Sequence, residues 1–274
     1  MDFLIEEKTL DISTMQFVNE MENNGSSLVI NLLESSIYDE SLMETALEDF
    51  KKVATNAIEK ILDALKKFFK DVKLQMDIHI QQHELNKKLE ELKDIMAKKK
   101  SKVLNKKYNY FDVKKYKAYY TEFINRYTAE LKKGLNRDFK TVEEYEEWKT
   151  SMLNKLSDFN YKLSDEEQWK LSITINSAVK LSEEELNNRD KNMKMIEEDG
   201  TMAIKGLEKY YKKIDTENSF VNYSGTKLKI FSLQNSFIGM ICSKIAQLIK
   251  TVVNIISKHI FACITALLVI LIAT

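Results

Sequence analysis

Residues 112–134 read Asp112-Val-Lys-Lys-Tyr-Lys-Ala-Tyr-Tyr-Thr-Glu-Phe-Ile-Asn-Arg-Tyr-Thr-Ala-Glu-Leu-Lys-Lys-Gly134. Asp112 stands where an N-cap carboxylate takes up a free backbone N–H. Tyr116, Tyr119, Tyr120, Phe123, Ile124 and Tyr127 recur every three or four residues, which puts them on one helical stripe. Gly134 falls where a C′ residue ends a helix. A capped segment with one aromatic face needs a partner to cover that face, so the reading is a packed helix and not an isolated one.

Working outward, the same grammar repeats. Tyr145, Trp148, Met152 and Leu156 form a stripe on a helix over 141–157. The capping box, in which a Ser or Thr hydroxyl and a Glu three residues later satisfy each other's backbone, fits Ser41–Glu44, Thr141–Glu144, Ser164–Glu167 and Ser182–Glu185. These boxes predict helices over 164–180 and 182–215, the second kinked at Gly200. A longer helix over 41–100 is predicted from Leu47, Phe50, Ala54, Ala57, Ile61, Leu65 and Phe68, which keep a near-heptad spacing and read as a self-association stripe. Leu85, Leu89, Leu92 and Met96 resume that spacing after the polar patch Gln81-Gln82-His83, so the helix either runs to about Lys100 or breaks near that patch. The lysine-rich stretch from Lys98 to Tyr110 reads as the main loop, and residues 216–226 as a linker.

Composition agrees. Among 274 residues there are 6 Gly and no Pro, where an average chain would carry about 5% Pro. So few breakers leave too few turns for a sandwich or barrel. The predicted class is all-α: an elongated, coiled-coil-like helical bundle with a hydrophobic C-terminal helical tail. Four regions follow: an acidic segment 1–40, the long heptad-like helix 41–100, a helical bundle 101–217, and the tail 218–274.

The formal net charge of zero hides a block pattern. Residues 1–50 carry 12 acids and 1 Lys, residues 51–133 carry 22 bases and 11 acids, and residues 134–217 carry 14 bases and 19 acids. Residues 218–274 carry 5 Lys and no acid. Opposite blocks attract, in one chain or between chains. Three bases, Arg126, Arg137 and Arg189, are Arg and the rest Lys, which matches AT-rich coding more than selection for bidentate phosphate readers.

The tail changes character within itself. Over 230–257, Phe237, Ile241, Ile245, Leu248 and Val252 make one apolar face, while Ser236, Ser243, Gln247, Lys250, Asn254 and Ser257 make the other. With Lys as its sole charge, this face suits a membrane surface or an oligomer. The run 260–273 is uncharged, and Ile260, Phe261, Ile264, Leu267, Leu268, Ile270 and Leu271 read as membrane-inserting. Fourteen residues fall short of the roughly 20 that span a bilayer, but extension back to Val252 reaches that length. An interfacial helix followed by an insertion segment is the expectation. The core helix of a bundle or oligomer would have the same composition.

Motifs for chemistry are sparse. His79 and His83 stand one turn apart without the Glu of a metalloprotease helix, so no metal site is assigned. The acidic pairs at 143–147, 165–167 and 183–185 sit in predicted first turns, where the helix dipole accounts for them. No phosphate-cradling, nucleophile-elbow or CxxC pattern occurs, and Cys242 and Cys263 read as small apolar residues. No catalytic residue and no cofactor is assigned. Lys98, Lys99, Lys100, Lys102, Lys106 and Lys107 have the charge to meet anionic lipid or nucleic acid, or form a solvated loop. The start of the chain is acidic and has no secretory-signal pattern, so a tail-anchored chain would leave residues 1–217 in the cytoplasm.

The expected function is that of a non-enzymatic helical assembly protein. It would pair with itself or a helical partner and dock to or enter a membrane through its tail, as a structural component of a phage or similar particle would. The alternative is a helical pore former that shelters the tail in a soluble state.

Overall fold

A computed structural model describes residues 79–212 and 225–274, together with scattered positions between 52 and 70. Of these described residues 87% are helical, in seven α-helices and one two-stranded sheet, and the class is all-α. The acidic segment, the Ser41 box and the stripe Leu47, Phe50, Ala54, Ala57, Ile61, Leu65 and Phe68 lie outside the described residues.

The order is α1 (His79–Lys98), α2 (Ser101–Leu104), β1 (Lys107–Phe111), α3 (Val113–Leu135), α4 (Val142–Ser164), a 3-10 turn (Glu166–Trp169), β2 (Lys170–Thr174), α5 (Ile175–Asn187), α6 (Arg189–Lys212) and α7 (Gly225–Ala273). The chain forms two compact units. One holds residues 126–156 and 201–247, with part of the N-terminal region; the other holds 65–125, 157–200 and 248–274.

Several predicted ends are where the residues placed them. Asp112 Oδ1 accepts the Lys115 backbone N–H at 2.9 Å and opens α3. Thr141 Oγ1 accepts the Glu144 N–H at 3.2 Å and opens α4. The Glu144 carboxylate reaches back to the Lys140 N–H at 3.1 Å, one residue beyond the N-cap N–H of the usual box.

Other ends differ, each for a visible reason. Gly134 lies inside α3, and no described glycine has positive φ, so it is not a C′ stop. A Cβ there would overlap the Trp148 indole, and close packing is what requires glycine. Ser164 ends α4 instead of opening a helix, and its hydroxyl donates to the Tyr161 carbonyl at 2.8 Å. Asp165 caps the 3-10 turn by accepting the Glu167 N–H. Ser182 is interior to α5 and buried, donating to the Ala178 carbonyl at 2.8 Å, so its box is no cap. Thr174 is the cap, accepting the Ser177 N–H at 3.2 Å. The predicted helices 164–180 and 182–215 are therefore replaced by the turn, β2, α5 and α6. α6 continues as helix through Gly200.

The predicted loop 98–110 contains α2 and β1 instead. β1 pairs antiparallel with β2, Lys107 opposite Thr174 and Phe111 opposite Lys170. Tyr and Phe on one strand and Ile and Thr on the other suit the pleat. The tail is one continuous helix of 49 residues, about 73 Å long, and not two segments.

In the first unit, Tyr127, Leu131, Tyr145, Met152, Ile204 and Phe237 make the core. Tyr127 donates to the Met152 carbonyl at 3.1 Å, and Tyr145 to the Leu233 carbonyl at 2.9 Å. In the second, Tyr116, Tyr120, Phe159, Trp169 and Ile196 are buried, as are Leu85, Leu89 and Leu92 of α1. Phe123 and Phe159 stack at 3.5 Å between ring centres.

Candidate membrane-docking helix

α7 carries the candidate site. Its residues enter the cores of both units. In the first, Phe237, Ile241 and Ile245 are buried, and the Trp148 ring meets Phe237 edge-on at 5.4 Å. Gln234 Nε2 donates to the Leu135 carbonyl at 3.4 Å. The amphipathic face expected from the sequence, Phe237, Ile241, Ile245, Leu248 and Val252, is buried throughout. Of the opposite face, Gln247 and Asn254 are exposed, whereas Ser243 is buried.

The second unit holds residues 248–274 by a series of specific contacts. Ile249 occupies the space a side chain at Gly200 would need. Lys258 Nζ bonds Glu166 Oε1 at 3.1 Å, and His259 Nε2 is 3.4 Å from the same oxygen. Lys258 thereby holds the Glu166 carboxyl below its usual range. His259 stacks flat on Phe111 at 3.8 Å. One turn on, Cys263 Sγ lies 3.3 Å from Ser182 Oγ. Lys88 sits over the Phe261 ring at 4.9 Å. Near this seam on α5, burial raises the Glu185 pKa, partly offset by Lys117; Glu185 Oε2 accepts from Asn192 at 3.0 Å.

Of the seven residues read as membrane-inserting, Ile260, Ile264, Leu267 and Leu271 are buried in this unit. Leu268 and Ile270 are half-buried, and Phe261 is 38% exposed. Two residues that the sequence did not single out, Val269 and Ile272, are 60% and 61% exposed. A run apolar on all sides has no polar residue to mark which way it faces, so only packing reveals the outward pair. α7 is long and apolar enough over Ser236–Ala273 to cross a membrane, a test that a core helix also meets.

The six lysines of the 98–107 run are exposed, apart from half-buried Lys99. Among the described residues no three His, Cys, Asp or Glu gather as a metal site. The side chains of His79 and His83 lie outside the described residues. No protein-family model, curated protein or solved structure matches the chain.

Proposed function

We propose that this chain is a non-enzymatic helical assembly protein that docks to a membrane through the C-terminal part of α7. The observation that carries the reading is the outward apolar pair Val269 and Ile272, on a helix without a single acidic residue. Exposed large aliphatic side chains one turn apart are an unfavourable surface in water and a favourable one in lipid. Self-association through the stripe at 47–68 belongs to the same proposal and rests on heptad spacing alone.

A second reading, insertion after release, is favoured by the other face of the same stretch. Ile264, Leu267 and Leu271 are wholly buried. Taking each out of the core costs about 1.5–3 kcal/mol until lipid receives it. Docking by the outward pair carries no such cost, and for that reason docking comes first.

One experiment tests both. The Ser182→Cys variant, oxidised, would tie position 182 to Cys263, since the native side-chain atoms are 3.3 Å apart. Full-length chain is floated with vesicles in its reduced and tied forms. Docking predicts that both float. Release and insertion predicts that only the reduced form does. If neither floats, the membrane reading is wrong.

A further inference from the structure

Within the second unit, the fold brings the end of the lysine run, Lys106 and Lys107, towards the C-terminal end of α7. At one level along α7, His259 meets Phe111 of β1 and Glu166 of the 3-10 turn. One turn further, Cys263 meets Ser182 of α5, with Tyr108 of β1 alongside. β1 therefore runs opposite to α7, and its start lies towards the C-terminus of α7. α5 starts at the same end as β1. The Ile175 N–H bonds the Lys106 carbonyl at 3.0 Å, and Ile175 precedes Ser182 by seven residues, about 10 Å of helix. From Cys263, α7 continues for ten residues, about 15 Å, in that direction. Lys106 and Lys107 thus share a level with the last turns of α7, where Val269 and Ile272 face outward.

The chemistry at this end is one-sided. Residues 95–111 hold six Lys and no acid, and residues 260–274 hold no charge at all. Lys98, Lys100, Lys102, Lys106 and Lys107 are exposed, and none of the five makes an ion pair among the described residues. A basic segment beside an apolar helix end complements a bilayer whose headgroups are negative and whose interior is oil. A nucleic acid offers the charge but no use for Val269 and Ile272.

We infer that this end of the second unit recognises anionic lipid, with Lys98, Lys100, Lys102, Lys106 and Lys107 meeting the headgroups while Val269 and Ile272 enter the acyl boundary. The inference rests on the membrane-docking reading and specifies its lipid.

The test is vesicle binding by the full chain. Vesicles of phosphatidylcholine alone are compared with vesicles containing phosphatidylserine, for the natural chain and for the triple variant Lys100→Gln, Lys102→Gln, Lys107→Gln. These side chains are exposed, so the fold is retained, and circular dichroism checks it. Each lysine near such a surface strengthens binding about fivefold. The expected result is binding to the serine-lipid vesicles that falls about 100-fold in the variant and weakens in high salt. Equal binding to both vesicle types, unchanged in the variant, overturns the lipid assignment and leaves membrane docking standing. No binding to either vesicle overturns the docking reading and this inference with it. Binding of a DNA duplex without vesicle binding assigns the lysines to nucleic acid and also overturns it.

Discussion

At the scale of single residues, the second unit places two carboxylates in opposite situations. Glu166 is held ionised by Lys258, so its contribution is present above the ordinary carboxylate pKa and is lost as pH falls through the lowered value. Glu185 is buried and its pKa is raised, so its charged form costs stability as pH rises through that value. Asn192 donates to Glu185, and a glutamine carbonyl accepts the same bond. Glu185→Gln is therefore expected to melt higher than the natural chain at pH 7 and to match it near pH 4, read by thermal denaturation at both pH values. A lower melting temperature at pH 7 would show that attraction to Lys117 outweighs desolvation. Much at this scale was legible. The two stripes point to the core, and Tyr116, Tyr120, Ile124, Tyr127, Tyr145, Met152 and Leu156 are buried, while Tyr119, Phe123 and Trp148 of the same stripes are half-buried. What was not legible was facing within the all-apolar run, where Ile264 and Val269 look alike on paper and differ wholly in exposure.

At the scale of elements, a cap forms where the preceding chain is not helical, and a matching pattern alone does not make one. Asp112 and Thr141 precede helices because the preceding chain is not helical. Ser164 and Ser182 carry the same three-residue spacing to Glu, yet each hydroxyl bonds a carbonyl behind it, a use open to any serine at or inside the end of a helix. The lysine density of 98–110 points to a loop, yet Tyr108, Tyr110 and Phe111 favour a pleat, and the strand pair forms there. Glycines divide by what faces them. Gly134 faces the rigid Trp148 ring, whereas Gly206 faces the flexible end of Lys132. Gly134→Ala is thus expected to cost about 1–3 kcal/mol through overpacking. Gly206→Ala is expected to gain up to about 1 kcal/mol, because a helix favours Ala and Lys132 can swing away. Urea titration of both variants measures the signs, and two changes of the same sign would contradict this packing account.

At the scale of the whole molecule, absence of proline and scarcity of glycine announced an all-α chain, and that is the class found. The tail was legible as the odd helix out, but its integration was not. Its apolar residues are shared between two cores, with Phe237 and Ile241 in one and Ile264 and Leu267 in the other. Deleting residues 218–274 would strip both cores, so a truncated chain is no test of membrane contact. The central claim, that the outward tip of α7 meets lipid while the fold stays intact, is tested most directly by an environment-sensitive fluorophore at position 272. It is attached through Ile272→Cys, since Cys242 and Cys263 are buried and poorly accessible to the label. On addition of phosphatidylserine-containing vesicles, the account predicts a blue shift at 272 with no change in helical circular dichroism. Emission that stays at its aqueous wavelength at every vesicle concentration would contradict it.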